Sequence, residues 1–96
     1  MNDYIFLMYQ APEPINLDWS SYFAQLRSTG QFAGGSSIGD GLTVSKSGAS
    51  QATSKQLVGY IRVSADSLEN ARALLVGNPV YEAGGVVEIR ELPKSG

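Results

Sequence analysis

The chain has 96 residues, a formal net charge of -2, 43% hydrophobic residues, and neither histidine nor cysteine. That length is one domain, and the two missing residue types exclude disulfides, thiolate nucleophiles, zinc–thiolate sites and every histidine-dependent dyad or triad. Seven basic residues scattered singly among nine acidic ones, at a sequence pI near 4.9, argue against a nucleic-acid surface or a basic membrane patch.

The chain opens Met1-Asn2-Asp3-Tyr4-Ile5-Phe6-Leu7-Met8-Tyr9. The apolar run is too short for a signal peptide, with an acidic residue where a basic n-region belongs. No segment approaches the ~20 apolar residues of a spanning helix. The expectation is a soluble cytoplasmic protein. Residues 3–9 read as a strand bounded by Ala11-Pro12-Glu13-Pro14. Both its faces are apolar, Ile5 and Leu7 on one, Tyr4, Phe6 and Met8 on the other, which predicts a central strand.

A helix follows, capped by Asp18, with Trp19, Tyr22, Phe23 and Leu26 on one face and Gly30 as its left-handed stop. Trp19 and Tyr22 read as core or interface anchors. Residues 33–55 are polar and glycine-rich. They predict a short strand near 33–37, a turn at Gly39-Asp40-Gly41, a second strand at 42–46, and a mobile loop from Lys46. The sequence does not fix the conformation of residues 46–55.

Leu57–Val63 alternates cleanly, with Leu57, Gly59, Ile61 and Val63 on one face and Val58, Tyr60 and Arg62 on the other. Gly59 allows a helix to approach closely. Asp66 with Glu69 forms a capping-box pattern for a second helix, whose buried stripe reads Leu68, Ala71, Leu74 and Leu75. Gly77 and Pro79 end it, a turn-rich loop follows, and residues 85–92 form the last strand.

This order predicts one α+β domain over residues 1–96: a ferredoxin-like split βαβ with an antiparallel sheet and two helices on one face. Ile5, Leu7, Gly59, Ile61, Val87 and Ile89 are expected beneath the helices. The other face then carries Tyr4, Phe6, Met8, Tyr60, Arg62, Glu88 and Arg90, which is too aromatic to stay wet. A second copy of the chain is the simplest cover. Tyr4, Phe6, Met8, Tyr60 and Arg90 are therefore the predicted dimer-interface residues.

Several segments together resemble the YCII-related (DGPF-type) domains, small proteins with a dimeric α+β barrel fold. They are Tyr4–Tyr9, Gly34-Gly35, Gly59-Tyr60-Ile61-Arg62-Val63, Ser67-Leu68-Glu69-Asn70-Ala71 and the stretch from Asn78-Pro79 to Arg90. The resemblance implies the fold and a homodimer. The Asp-Gly-Pro-Phe signature is missing, with Lys46-Ser47-Gly48-Ala49 near its place. The His-Asp pair suspected as catalytic in some relatives has no counterpart here, so the resemblance transfers no activity and no catalytic residue is assigned.

The ligand-binding candidates are Arg62, Tyr60, Asp40, Tyr81 and Glu82. Arg62 offers bidentate hydrogen bonds to a carboxylate, or an ion pair with Glu88. Asp40 sits in a Gly-Asp-Gly turn, which suits left-handed geometry as well as it suits a pocket. Tyr81 and Glu82 fall in a loop that borders a cleft in a dimeric barrel. The 34–41 glycines lack the Gly-Lys-Ser/Thr ending of a phosphate loop, no spacing supports a metal, and no cofactor is expected. The primary expectation is a homodimeric, non-catalytic module that binds a small ligand, a small anionic molecule being the candidate, or acts as an accessory protein. The alternative is an isomerase- or lyase-type enzyme acting on a small anionic or aromatic molecule, with Arg62 orienting it and Asp40 or Glu82 moving a proton. Single-stranded RNA binding on the sheet aromatics is disfavoured by the acidic pI.

Overall fold

A computed structural model of the chain describes residues 1–12, 18–48 and 57–94. In chain order its elements are β1 (Asn2–Tyr9), α1 (Trp19–Thr29), β2 (Phe32–Ser37), β3 (Leu57–Ala65), α2 (Leu68–Ala73), α3 (Pro79–Glu82) and β4 (Val87–Leu92). The strands form one antiparallel sheet in the order β2-β3-β1-β4. β1 and β2 thus run parallel with β3 between them, and β3 and β4 run parallel with β1 between them. This is the interleaved split βαβ of the ferredoxin-like plan, with the helices on one face.

Local chemistry sets the helix ends. The Asp18 carboxylate accepts from the Ser21 amide at 3.0 Å and from the Ser21 hydroxyl at 2.7 Å, holding its pKa below the ordinary carboxylate value. Gly30 closes α1 at φ +72°, its N–H reaching the Arg27 carbonyl at 3.1 Å. The cap of α2 differs from the expected one. Ser67, not Asp66, is the N-cap, its hydroxyl accepting from the Asn70 amide at 3.1 Å. Leu68 consequently faces outward at 54% exposure, while Ala71 and Leu75 are buried.

The phase of β1 is the main correction to the expected packing. Tyr4 lies opposite Val63, Phe6 opposite Ile61 and Ile89, and Met8 opposite Gly59 and Val87. These residues belong to the same core as Tyr22, Leu26, Ala71, Leu75 and Val80. Tyr4, Phe6 and Met8 therefore lie beneath the chain's own helices and are not interface residues. Because β1 is apolar on both sides, its alternation carries no phase. Pairing with β3, which does alternate, decides it, and the larger side chains fill the gap under the helices. The open face instead carries Ile5, Leu7, Tyr9, Tyr60, Arg62, Glu88 and Arg90, all half-buried or exposed in the single chain. Tyr60 and Arg90 keep their expected side.

Two further differences concern β2 and the segment before β4. Residues 42–46 make no strand: only Thr43 forms an isolated bridge, and Leu42 and Val44 are exposed. β2 pairs with β3 instead of with a hairpin partner. Most of the expected loop beyond Lys46 lies outside the described residues. The turn-rich stretch after Gly77 contains α3, with Asn78 at its N-cap and Pro79 in the first turn.

Candidate functional site

The helix side of the sheet holds a cleft of about 510 Å³, within the roughly 300–1,000 Å³ of small-molecule sites. Trp19 and Phe23 form one wall. They stand one turn apart at the start of α1, with rings stacked at 5.6 Å between centroids and 25° between planes. Phe32 backs Phe23 at 5.5 Å, and the Arg27 guanidinium lies over both rings, 5.9 Å from Phe23 and 5.6 Å from Phe32. Arg27 thereby clamps the wall to β2 from outside the cleft.

Two glycines make the floor. A Cβ on Gly35 would come within 2.5 Å of the Tyr60 carbonyl oxygen, so no side chain fits there. A Cβ on Gly59 would stand 3.1 Å from the Met8 methyl and 3.2 Å from the Ser36 carbonyl oxygen. Strand glycines often mark such close approach. Met8, Ala11, Val58, Ile61 and Val80 complete the apolar lining, and Gln10, Ser36 and Ser37 also border it.

A buried polar knot fixes the far end. Asn78 is fully buried. Its Oδ1 accepts from the Tyr81 amide at 3.1 Å, and its Nδ2 approaches the Met8 sulfur at 3.6 Å. The Tyr22 hydroxyl donates to the Leu74 carbonyl at 2.8 Å. Burial pushes the Tyr22 pKa above that of an ordinary phenol, opposed only in part by the nearby Asn78 amide. Tyr22 is accordingly a neutral structural donor and does no acid–base work near pH 7.

The residues nominated from sequence do not converge. Arg62 is exposed on the open face and donates to the Ala33 carbonyl at 2.9 Å, tying down the bulge in β2. Tyr60 borders the cleft floor through its main chain, while strand alternation puts its side chain on the open face. Asp40 is exposed in coil after β2. Tyr81 is 46% exposed on α3, and Glu82 accepts from the Gly77 amide at 2.9 Å, so it serves the turn before α3. None of Arg62, Asp40, Tyr81 and Glu82 lines the cleft. Among the described residues no group of three His, Cys, Asp or Glu side chains is placed to hold a metal ion.

On the open face, Arg90 pairs with Glu88 at 2.9 Å and the Tyr9 hydroxyl donates to Glu88 at 3.0 Å. The Arg90 hydrogen bond, then that of Tyr9, holds the Glu88 pKa below its ordinary value. The same contact with Glu88 raises that of Tyr9.

Trp19, Phe23, Gly35 and Val80 were not foreseen as cleft residues, and Met8 was expected at a dimer interface instead. The available signal was the pair of glycines inside strands, Gly35 and Gly59, which predict bare backbone on a sheet face. The same holds for Asn78-Pro79, a helix-start pattern read as a turn.

No family model matches the sequence, and no curated protein matches it. Among solved structures, 5-chloro-2-hydroxyhydroquinone dehydrochlorinase from Burkholderia phenoliruptrix AC1100, in complex with 2,5-dihydroxybenzoquinone, is similar with a TM-score of 0.49. The sequences are 18% identical over 93% of each chain. Among the described residues no helix is long and apolar enough to cross a membrane.

Proposed function

We propose that this chain is a YCII-like domain acting as a cytoplasmic, homodimeric, non-catalytic module that binds one small molecule per subunit. The apolar cleft between α1, α3 and the glycine floor carries the reading. It has the size and composition of a ligand site. Binding is favoured over turnover because, among the described residues, no carboxylate, lysine or arginine lines the cleft. General acid–base catalysis most often uses a His, Asp, Glu, Lys, Tyr or Cys within hydrogen-bond reach of the substrate, and Tyr60, which borders the cleft, turns its side chain to the other face of the sheet.

The open sheet face supports the homodimer. Ile5, Leu7 and Tyr60 are only half-buried there, beside Arg62, Glu88 and Arg90. A two-fold axis would bring this face onto its own copy, apolar centre to apolar centre, with arginines able to meet Glu88 across the axis. The family reading draws on the strand and helix segments named above.

Light scattering and a thermal-shift screen against small organic molecules test the proposal together. The expected results are a species of twice 10.2 kDa and at least one compound that raises the melting temperature through mass action. A 10.2 kDa species at working concentration overturns the dimer. A screen in which nothing raises the melting temperature overturns the binding module, and consumption of a bound compound overturns its non-catalytic character.

A further inference from the structure

We propose that the cleft selects a flat, uncharged ring molecule, with Gly35 and Gly59 making the space it occupies and the Trp19–Phe23 stack making its wall. The proposal rests on the cleft being the ligand site and adds the class of ligand.

Charge selection follows from the lining. Among the described residues the cleft offers backbone, aromatic and aliphatic groups, with only the amide of Gln10 and the hydroxyl of Ser37 as polar side chains, since Ser36 pairs with Tyr60 and turns with it to the open face. The cations nearest in sequence lie elsewhere: Arg62 points to the opposite face of the sheet, and Arg27 covers the outside of the Phe23–Phe32 pair. An ionised ligand entering the cleft would lose water and gain no counter-charge, which is costly. A neutral molecule with one or two hydroxyl or carbonyl groups avoids that cost and can use Ser37, which pairs with Gly59 and so shares its side of the sheet.

Shape selection follows from the floor. The glycines contribute no side chain of their own to this part of β2 and β3, and the gap they leave is bordered by the Ile61 and Met8 side chains. A ring can lie over that gap and present its edge or face to the stacked indole and phenyl rings. Because Gly35 meets main-chain oxygen, it cannot be enlarged without moving the sheet. A Cβ on Gly59 meets the Met8 methyl at 3.1 Å and the Ser36 carbonyl oxygen at 3.2 Å, so an added methyl needs shifts of only a few tenths of an ångström, against the 2.5 Å clash at Gly35, and it narrows the floor.

Trp19 is the single tryptophan of the chain, so its indole N–H gives one NMR signal that reports on the cleft. The probes are 2-naphthol and 2-naphthoate, which share a ring system and differ in charge at pH 7. The expected result is that 2-naphthol shifts the Trp19 signal and binds at least about tenfold more tightly than 2-naphthoate. Equal or tighter binding of 2-naphthoate overturns the charge selection while leaving the cleft as a binding site. No shift with either probe removes the site and the proposal together. Gly59→Ala is expected to weaken 2-naphthol about tenfold or more by narrowing the floor. Phe23→Leu, which keeps apolar bulk but loses the ring, is expected to weaken it about three- to tenfold. Unchanged affinity in both folded variants overturns the assignment of floor and wall.

Discussion

Asn78 ties together several parts of the structure. It caps α3 and donates to the Met8 sulfur, all with no solvent exposure. Replacing it by alanine removes a cap and leaves buried polar groups without their partner. Asn78→Ala should therefore lower the unfolding free energy by about 2–4 kcal/mol in urea titration. A change under about 0.5 kcal/mol, typical of a surface site, would contradict the role given to it. Glu88 gives a pH prediction. Its folded pKa is depressed, so the folded state binds that proton less readily than the unfolded chain does. Its contribution is present above the ordinary glutamate value and is lost as pH falls through the lower folded value. Glu88→Gln should flatten that part of the acid limb of stability against pH, and an unchanged limb would show that the contact with Arg90 and Tyr9 contributes nothing. At this scale the sequence was legible where one side chain answers to its neighbours, as at Asp18 and Gly30. It was ambiguous where two adjacent residues can both cap, and Ser67 displaced Asp66 because its hydroxyl reaches the Asn70 amide.

For whole elements, legibility depended on whether a strand's two faces differ. β3 places Gly59, Ile61 and Val63 on one side and Tyr60 and Arg62 on the other, and it sits as expected. β1 has Ile5 and Leu7 against Tyr4, Phe6 and Met8, so hydrophobicity could not orient it, and only pairing with β3 did. The consequence is measurable. Phe6→Ala should cost about 3–5 kcal/mol as a core truncation, and the loss should be independent of protein concentration. A loss that vanishes on dilution would return Phe6 to an interface. The strand expected at 42–46 failed because alternation alone does not supply a partner: β2 pairs with β3 along one edge, and among the described residues no strand adds to the other. α3 was missed because a four-residue helix has no periodicity to read; only its Asn-Pro start betrays it.

In the molecule as a whole, the sheet separates the two proposed functions. The cleft lies on the helix side, and the proposed contact with a second copy lies on the other, where Leu7 faces Tyr60 and Glu88 across the strands. Leu7→Glu should place charge in the middle of that contact and yield a folded species near 10.2 kDa by light scattering. Its circular dichroism and the response of Trp19 to 2-naphthol should persist, because the substitution points away from the cleft. A Leu7→Glu protein that stays at twice that mass would show that copies associate elsewhere. The architecture was legible from element order, whereas the cleft was not. Its floor is an absence of side chains and its wall is built from α1 residues that sequence alone assigns to an ordinary core.

The kink in β2 has a consequence of another kind. Ala33 is squeezed out of register between Phe32 and Gly34, Gly34 sits at φ +120°, and Arg62 reaches across to hold the displaced carbonyl. An outermost strand distorted in this way is a poor template for a foreign strand to add to, one of the devices by which sheets resist fibrillar stacking. The β2 edge of the sheet is blunted in this way, whereas the pairing of β4, at the other edge, runs without a register shift.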